Sequence, residues 1–288
     1  MTAIVLCGDA VTTTTLVLAF TWPRLGESSV VIERSASVER DENDGLEPPV
    51  IDRLIIECDP SGGSLVGWLG LDPRRTLTTA VTSSPSESEP SRCEHRAWQN
   101  HVQLLGGGVA VLASPIRSVE AAASQLRAQR SVFGGIGSME HLTAFLDCGR
   151  GTPAGPWVPA GSSLVVLVHR QFGGPSTAAG PRVEQLRERF EHFESVGHRP
   201  ALAIIGSDPF DPAEIVAHLS QGDAIVSVTL PEDRFAAEVL AGRLGCSSRR
   251  LRRLRLMRAG RAASAQLSAA VRGLDADLAG SDGQWVAR

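Results

Sequence analysis

Three polar segments follow short apolar runs, and their residue types are those of a magnesium–nucleotide site. Residues 8–15 read GDAVTTTT after one run, and Asp59 and Asp147 each follow another. In such sites a hydroxyl at a helix start binds the metal, and two carboxylates hold it through water. The N–H groups of the same helix start suit phosphate. The alternative for these threonines and acids is a structural role in helix capping and turns.

The elements that must position these residues are strands alternating with helices. Helical patterns over residues 182–196, 212–219 and 234–244 lie among seven short apolar runs. This alternation predicts an α/β fold, a single doubly wound, mainly parallel sheet of about seven strands with helices on both faces. Ligands of such sheets bind outside the carboxyl ends of the strands, where all three polar segments fall. The predicted strands are residues 3–7, 52–58, 108–113, 142–146, 163–169, 201–206 and 224–229.

We expect one α/β domain over residues 1–247, followed by an arginine-rich C-terminal helix and tail over residues 248–288. The domain carries two irregular segments. An acidic, polar loop is inserted at residues 26–50, and the Ser/Pro/Glu-rich tract 82–94 is expected to be flexible because it lacks apolar periodicity.

Composition restricts the chemistry. The 288-residue chain has a net charge of −4, which gives no overall attraction to nucleic acid or anionic lipid. All 28 basic residues are arginine, so a mechanism that needs a lysine ammonium is excluded. No apolar run approaches the roughly 20 residues of a membrane-spanning helix, and a cytoplasmic location is expected, with a peripheral place at the membrane left open.

The five cysteines do not form a zinc motif, since none belongs to a CxxC pair. Cys7, Cys58 and Cys148 each stand at the end of a predicted strand. If those strands are neighbours, the three thiols lie near one another, either as small buried apolar groups or as a metal or redox cluster.

The order of these segments resembles the ParA/MinD-type P-loop ATPases. Their loop reads KGGxGK[ST][ST], and it lies without a gap over Gly8, Asp9, Ala10, Val11, Thr12, Thr13, Thr14 and Thr15. The segment ECDP at residues 57–60 looks like the D-x-D switch I of that family, and DCG at 147–149 looks like its Walker B turn. LPEDR at residues 230–234 is similar to the late P-x-D segment.

This resemblance implies a role for each matched residue. Thr14, Asp59 and Asp147 would hold magnesium, with Asp59 also in the catalytic switch I position. The residues 8–15 would bind the phosphates of ATP, and Pro231 and Asp233 would lie beside the base. The resemblance also implies ATP with Mg²⁺ as the ligand and possible homodimers.

The departures from the family pattern indicate a degenerate nucleotide site. Gly8 stands where the family has the lysine that reaches its partner, and Thr13 stands where it has the phosphate-binding lysine. Asp9 brings a negative charge toward the phosphate position. We therefore expect weak binding of ATP and Mg²⁺ or none, and weak or no hydrolysis.

Similar lysine-less chains look like an actinobacterial subgroup that resembles TadZ/CpaE proteins, which localise pilus or secretion machinery. Three functions follow as hypotheses. The first is a ParA/MinD/TadZ-like positioning or recruitment protein that acts on a protein partner. The second is an active ATPase for DNA or plasmid partitioning, and the third is a nucleotide-free interaction scaffold.

The C-terminal segment is rich in arginine and has no acid between residues 249 and 261. Leu251, Leu254 and Met257 recur at helical spacing, and the helix is expected over residues 248–271 with a break near Gly260 and a frayed end from residue 273. It either packs on the sheet or presents a surface to anionic lipid or to DNA. The seven arginines are Arg249, Arg250, Arg252, Arg253, Arg255, Arg258 and Arg261.

Overall fold

The computed structural model covers the chain from residue 2 to residue 280 in separate ranges. The inserted loop 26–50 and the tract 82–94 lie almost entirely outside the described residues, and so does the end of the chain beyond residue 280. The described ranges are 2–23, 30–31, 50–82, 94–106, 108–118, 120–121, 139, 142–150, 164–172, 176–220 and 224–280.

The core of the fold is an eight-stranded sheet in the order β10-β9-β8-β1-β7-β4-β6-β5. Every neighbouring pair is parallel except β5–β6, which is antiparallel. A separate pair joins two short strands, β2 and β3. The strands are β1 (Thr2–Gly8), β2 (Val30–Val31), β3 (Val50–Ile51), β4 (Arg53–Glu57), β5 (Gln103–Gly106), β6 (Val109–Leu112), β7 (Thr143–Asp147), β8 (Leu164–Arg170), β9 (Pro200–Ile205) and β10 (Ser227–Leu230).

This arrangement confirms the doubly wound α/β fold. All seven predicted strands are present in the sheet, and they are its parallel strands. Their inner residues are buried on both faces, which is why they read as continuous apolar runs instead of alternating patterns. The prediction missed β5 because it is a four-residue edge strand that ends in glycine.

Helices cover both faces of the sheet. α1, α6 and α8 pack with one buried cluster, and α3, α4 and α5 pack with the other. The helices are α1 (Val11–Thr21), α2 (Leu65–Leu69), α3 (Leu77–Thr82), α4 (Ser176–Ser195), α5 (Pro212–Ser220), α6 (Arg234–Leu240), α7 (Ser248–Leu251) and α8 (Arg255–Gly280), with a 3₁₀-helix at Glu94–His101.

Two helix boundaries differ from the prediction. α4 begins six residues before Arg182, and α6 ends at Leu240, where Gly242 adopts a φ of 70° that stops the helix. The C-terminal segment is broken at residues 252–254 and not near Gly260, and α8 continues unbroken past Gly273.

α8 packs along α1, which is the helix that begins at the polar loop. Gly260 lies where the two helices come closest, because a Cβ at this position would overlap with the Cγ1 of Val17. The hydroxyls of Thr21 and Ser264 are hydrogen-bonded at 2.7 Å. The apolar face of α8 is buried at Leu256, Met257, Ala263, Leu267 and Val271. Its packing therefore fixes the position of α1 against the sheet.

We predict that Gly260→Leu lowers the free energy of unfolding by about 3 kcal/mol, since overpacking a tight contact typically costs about 1–3 kcal/mol and the leucine also exposes the α1 interface. Urea unfolding measures the change. Gly273→Leu on the same helix is the matched control, because nothing lies within 4 Å of a Cβ there. A control variant as unstable as Gly260→Leu would contradict the role given to this contact.

Candidate functional site

The turn after β1 is closed by two hydrogen bonds to its neighbours in the sheet. The N–H of Gly8 donates to the Gly149 carbonyl oxygen at 2.9 Å, and the N–H of Asp9 donates to the Val168 carbonyl oxygen at 2.9 Å. Gly8 has a φ of 128°, and a Cβ on it would overlap with the Val168 carbonyl oxygen. This backbone accepts only glycine at residue 8, so a lysine side chain does not fit there.

The connection between β1 and α1 is two residues long. α1 begins at Val11, and Ala10 precedes it in the left-handed conformation with a φ of 53°. The N–H of Thr14 donates to the Ala10 carbonyl oxygen at 3.2 Å, which starts the intrahelical hydrogen bonding. A phosphate-binding loop needs several successive N–H groups that converge outside the helix. Here those residues are already helical.

Three of the four threonines at the start of α1 have different surroundings. The hydroxyl of Thr14, which is 1% exposed, donates to the Ala10 carbonyl oxygen at 3.1 Å. The hydroxyl of Thr15 is buried and has no hydrogen-bond partner among the described residues. The hydroxyl of Thr12 lies beside the carboxyl group of Asp147. The structure thus brings Thr12, and not Thr14, to the carboxylate that the sequence places at the end of β7.

Asp147 is a fully buried carboxyl group with one unsatisfied oxygen. Its Oδ1 accepts the N–H of Gly149 at 3.1 Å, while Oδ2 has no hydrogen-bond partner in the described part of the chain. Burial raises the pKa of Asp147 to about 7; Glu57 and Asp59 contribute to the rise, whereas the Thr12 hydroxyl and the Gly149 N–H oppose it. A cation beside Oδ2 would satisfy this oxygen and lower the pKa.

Asp59 lies next to Asp147 at the same edge of the sheet. Its Oδ1 accepts the N–H of Ser61 at 2.8 Å and the hydroxyl of Ser61 at 2.6 Å. Its other oxygen lies over Gly149, where a Cβ would overlap with it. The sequence therefore names two acids, from the ends of β4 and β7, that the structure does bring together.

Glu57 is a third acid at this edge, and its role is structural. Its Oε1 accepts the N–H groups of Ser64 at 2.6 Å and Leu65 at 3.0 Å, and its Oε2 accepts the N–H of Ser114 at 3.0 Å. Burial raises the pKa of Glu57, and these hydrogen bonds oppose the rise. Glu57 thus ties α2 and the turn after β6 to β4. In the sequence, Glu57 is a carboxylate at the end of a predicted strand. It belongs to the segment that resembles switch I, but the resemblance gives Glu57 no role of its own.

The negative charge of Asp9 is partly offset. The guanidinium of Arg150, from the turn after β7, lies 3.6 Å from the Asp9 carboxylate. Arg150 is 83% exposed, so the pair contributes little to stability.

Pro231 and Asp233 lie at the carboxyl end of β10, away from the acids of β4 and β7. The carboxylate of Asp233 accepts the N–H of Ala236 at 3.0 Å and the N–H of Leu256 at 3.4 Å, so it joins the starts of α6 and α8. Pro231 lines a cavity of about 660 Å³ together with Gln171 and residues of α8. The Gln171 side chain is occupied by hydrogen bonds to the backbone of Gly206 and Phe210.

The three strand-end cysteines are neighbours, as the sequence analysis expected if their strands were adjacent. Cys7 lies near the end of β1, and Cys148 and Cys58 directly follow β7 and β4; these strands lie side by side in the sheet, and all three cysteines are buried. Burial raises the pKa of Cys7 to about 12 and raises those of Cys58 and Cys148. Within the described ranges, no group of three or more His, Cys, Asp or Glu residues is arranged to hold a metal ion. Burial as small apolar groups is the interpretation that these surroundings favour.

The seven arginines of the C-terminal segment are all exposed, although α8, which carries three of them, is packed. Arg250 stacks on Phe235, with its guanidinium carbon 5.3 Å from the ring centre, and Arg261 donates to the Arg252 carbonyl oxygen at 3.1 Å. The C-terminal segment therefore has a buried, packed face and an exposed, basic face. No helix among the described residues is long and apolar enough to cross a membrane.

No model of a known protein family matches the chain, and no curated protein sequence matches it. Solved structures do match over nearly its whole length. MinD in the MinC:MinD cell division complex of Aquifex aeolicus aligns with a TM-score of 0.60 at 13% identity, covering 93% of this chain and 96% of that chain. A ParA family ATPase from Chlorobium tepidum aligns with a TM-score of 0.57 at 14% identity, covering 92% and 98%.

A third solved structure is the septum site-determining protein MinD with Mg-ADP from Pyrococcus horikoshii. It aligns with a TM-score of 0.54 at 14% identity and covers 98% of this chain and 99% of that chain. The chain therefore has the fold of the MinD and ParA ATPases, as the motif order predicted.

A magnesium–nucleotide complex fits this site only in part. Asp147, Asp59 and the Thr12 hydroxyl offer oxygen ligands of the kind that Mg²⁺ prefers, and one of those oxygens is unsatisfied. The two-residue β1–α1 connection offers no loop to surround a phosphate, and it carries Asp9. The residues fit the cation and do not fit the phosphates.

We predict that Asp147→Asn stabilises the protein above pH 7 and has little effect near pH 4. The folded-state pKa of about 7 exceeds the ordinary value of 3.8, so the folded protein retains a proton that the unfolded chain releases. Wild-type stability is therefore lost as pH rises through the range between these two pKa values, by about 4 kcal/mol in total. Asparagine does not titrate and avoids this loss.

Urea unfolding at pH 4.5, close to the lower of the two pKa values, and at pH 8, above the higher one, measures the difference. Asp59→Asn is the control, because the Asp59 side chain is only partly buried. Equal effects of Asp147→Asn at both pH values would contradict the raised pKa.

Proposed function

We propose that this chain is a ParA/MinD/TadZ-like positioning or recruitment protein with a degenerate nucleotide site and weak or no ATP hydrolysis. It would act by presenting surfaces to a protein partner of a secretion, pilus or partition machinery. Homodimer formation, which the family resemblance implies, belongs to the same proposal. The fold supports the class, and the site supports the loss of vigorous catalysis.

The observation that carries the proposal is the closed turn at Gly8–Ala10. Phosphoryl transfer depends on positioned positive charge on the β- and γ-phosphates, supplied by a lysine and by converging N–H groups. This chain has no lysine, Gly8 has no room for a side chain, and α1 begins at Val11. The Asp9 carboxylate adds repulsion where the phosphates would lie.

The retained acids favour weak Mg²⁺-dependent binding over a completely empty scaffold. Asp147 is buried at an energetic cost, with an unsatisfied oxygen beside Asp59 and the Thr12 hydroxyl. When bound, Mg²⁺ would supply positive charge there, while this chain's residues would bind and orient it. A pure scaffold has no need to keep a buried carboxyl group with an unsatisfied oxygen.

Titration of a fluorescent ATP analogue with and without Mg²⁺ separates the three hypotheses. Weak binding that requires Mg²⁺ and is lost in Asp147→Asn supports the proposal. Tight binding with rapid turnover supports the partition ATPase, and no binding in either condition supports the nucleotide-free scaffold. Thr79→Ala is a neutral control, because this threonine lies away from the acids and bonds to His101.

We predict that steady-state ATP turnover stays well below about 1 per second, the lower range of efficient phosphoryl-transfer enzymes. Loss of the phosphate-binding lysine removes transition-state stabilisation of several kcal/mol. A coupled assay of ADP release measures the rate, and Asp59→Ala identifies contaminating activity. A turnover near 1 per second that Asp59→Ala abolishes would overturn the proposal.

The exposed arginine face offers a second contact surface within the same function. Seven arginines project from α7, from the turn after it and from the first turns of α8, and none of the seven forms an ion pair in the described part of the chain. The apolar side of α8 is already buried on α1, so an anionic lipid or DNA surface would be bound by charge and not by helix insertion.

We predict that reversing Arg249, Arg253 and Arg258 to glutamate leaves the thermal midpoint nearly unchanged, because these side chains are exposed. The reversal should abolish binding to anionic vesicles or DNA at low salt, and added salt should weaken wild-type binding by screening. Co-sedimentation and fluorescence anisotropy measure the two surfaces.

The matched control reverses Arg74, Arg117 and Arg272, which changes the net charge equally at exposed positions outside residues 249–261. Equal losses in both variants would indicate a net-charge effect. If the wild type binds neither surface at low salt, the arginine face is a solvated helix face only.

A further inference from the structure

A cavity on the β8 side of β1 is lined by positive charge, and among its described lining residues only Asp9 belongs to the candidate nucleotide site. Its volume is about 300 Å³, and it lies between the carboxyl end of β8 and the helix α4. The acids Asp147 and Asp59 belong to the opposite side of β1, after β7 and β4. The charged and aromatic residues that line the cavity are Arg150, Arg182, Arg189, His169, Phe172 and Asp9.

The charges in this cavity are not balanced. Three arginines meet one acid, and that acid, Asp9, lies 3.6 Å from Arg150. Arg182 and Arg189 form no ion pair with an acid among the described residues. Like charges held together raise the free energy of the folded state unless an anion offsets them.

Two of the arginines are held in place by the fold. Arg182 and Arg189 are seven residues apart on α4, which is about two turns, so both lie on the same face of the helix. The guanidinium carbon of Arg182 lies 4.3 Å from the centre of the Phe172 ring. Arg189 is close enough to β1 for its charge to lower the pKa of the Cys7 thiol, although burial raises that pKa more.

The floor of the cavity is a buried imidazole. His169 is 7% exposed, and burial lowers its pKa; Arg182 lowers it further, and Asp9 opposes the change. The ring is therefore neutral at pH 7 and offers a hydrogen bond without adding charge. The arginines carry the attraction for an anion.

We propose that this cavity binds a small phosphate-bearing anion about the size of a diphosphate. Guanidinium groups present forked N–H donors that match phosphate oxygens, and several of them around one concave site are typical of phosphate recognition. A volume of about 300 Å³ is at the small end of ligand pockets, which excludes large ligands from full burial. This inference does not rest on the proposed function, because its arginines and His169 take no part in the candidate nucleotide site.

Isothermal titration calorimetry with sodium pyrophosphate, without magnesium and at low ionic strength, tests the proposal on the full chain. We expect one site in the wild type and a loss of affinity of at least about tenfold in Arg182→Gln with Arg189→Gln. Arg187→Gln is the matched control on the same helix, because Arg187 pairs with Glu184 and Glu191 outside the cavity. It should bind as the wild type does.

The thermal midpoint of each variant is measured alongside, and Arg189→Lys provides a folded variant that keeps the charge without the forked donors. We expect intermediate affinity for it. No heat from the wild type up to about 10 mM pyrophosphate, a limit that corresponds to very weak binding, would overturn the proposal. Equal loss in Arg187→Gln, or full retention in the double variant, would overturn it as well.

A parallel titration with ADP distinguishes the source of the phosphate. ADP binding that Arg182→Gln with Arg189→Gln abolishes and Asp147→Asn preserves identifies a nucleotide as the ligand of this cavity. Pyrophosphate binding without such ADP binding identifies a free inorganic anion. In both cases the result for this cavity can be interpreted even if Mg²⁺-dependent nucleotide binding is absent, because Asp147 belongs only to the Mg²⁺-dependent site.

Discussion

The close approach of Gly8 to its neighbours on both sides is the constraint on which the site depends. β1 lies between β7 and β8, and Gly8 and Asp9 each donate a hydrogen bond to the backbone of one of those neighbours. No side chain fits at Gly8, and the chain turns into α1 after only two further residues. A flexible loop that folds around phosphates would have to break these contacts first.

The same closure explains the electrostatics of the site. Because α1 starts directly above the sheet, it covers the end of β7 and leaves Asp147 fully buried. Thr12 is brought beside this carboxyl group, while Thr14 is turned into the helix and bonds to Ala10. The acids offer oxygen ligands of the kind that Mg²⁺ prefers, and the two-residue connection leaves no loop that could surround a phosphate.

The packing of α8 connects this site with the basic surface. α8 contacts α1 through Gly260 and through the Thr21–Ser264 hydrogen bond, and its first turn is joined to α6 by Asp233. The arginines before and within the first turn of α8 therefore belong to a packed helical segment and not to a free tail. A partner bound to these arginines would contact α8, and α8 is packed against α1, the helix that begins at the candidate site.

Much of the fold and part of the site could be predicted from the sequence. Buried parallel strands must be apolar throughout, so seven runs identified the sheet, and the acids after two of them identified its functional edge. The absence of lysine is a property of composition and needs no structure. The edge strand β5 and the break before α8 were missed, since short edge strands and packed glycines carry weak or misleading local signals.

Only the tertiary structure decided which side chains meet. Thr12 and Thr14 are two residues apart in the sequence, and the starting point of α1 alone determines which of them faces Asp147. Likewise Arg150 and Arg189 belong to distant segments, and their shared cavity exists because β8 lies next to β1. Local sequence determines strands and helices through propensity and periodicity, whereas burial, pKa and charge clustering depend on neighbours that the chain reaches only by folding.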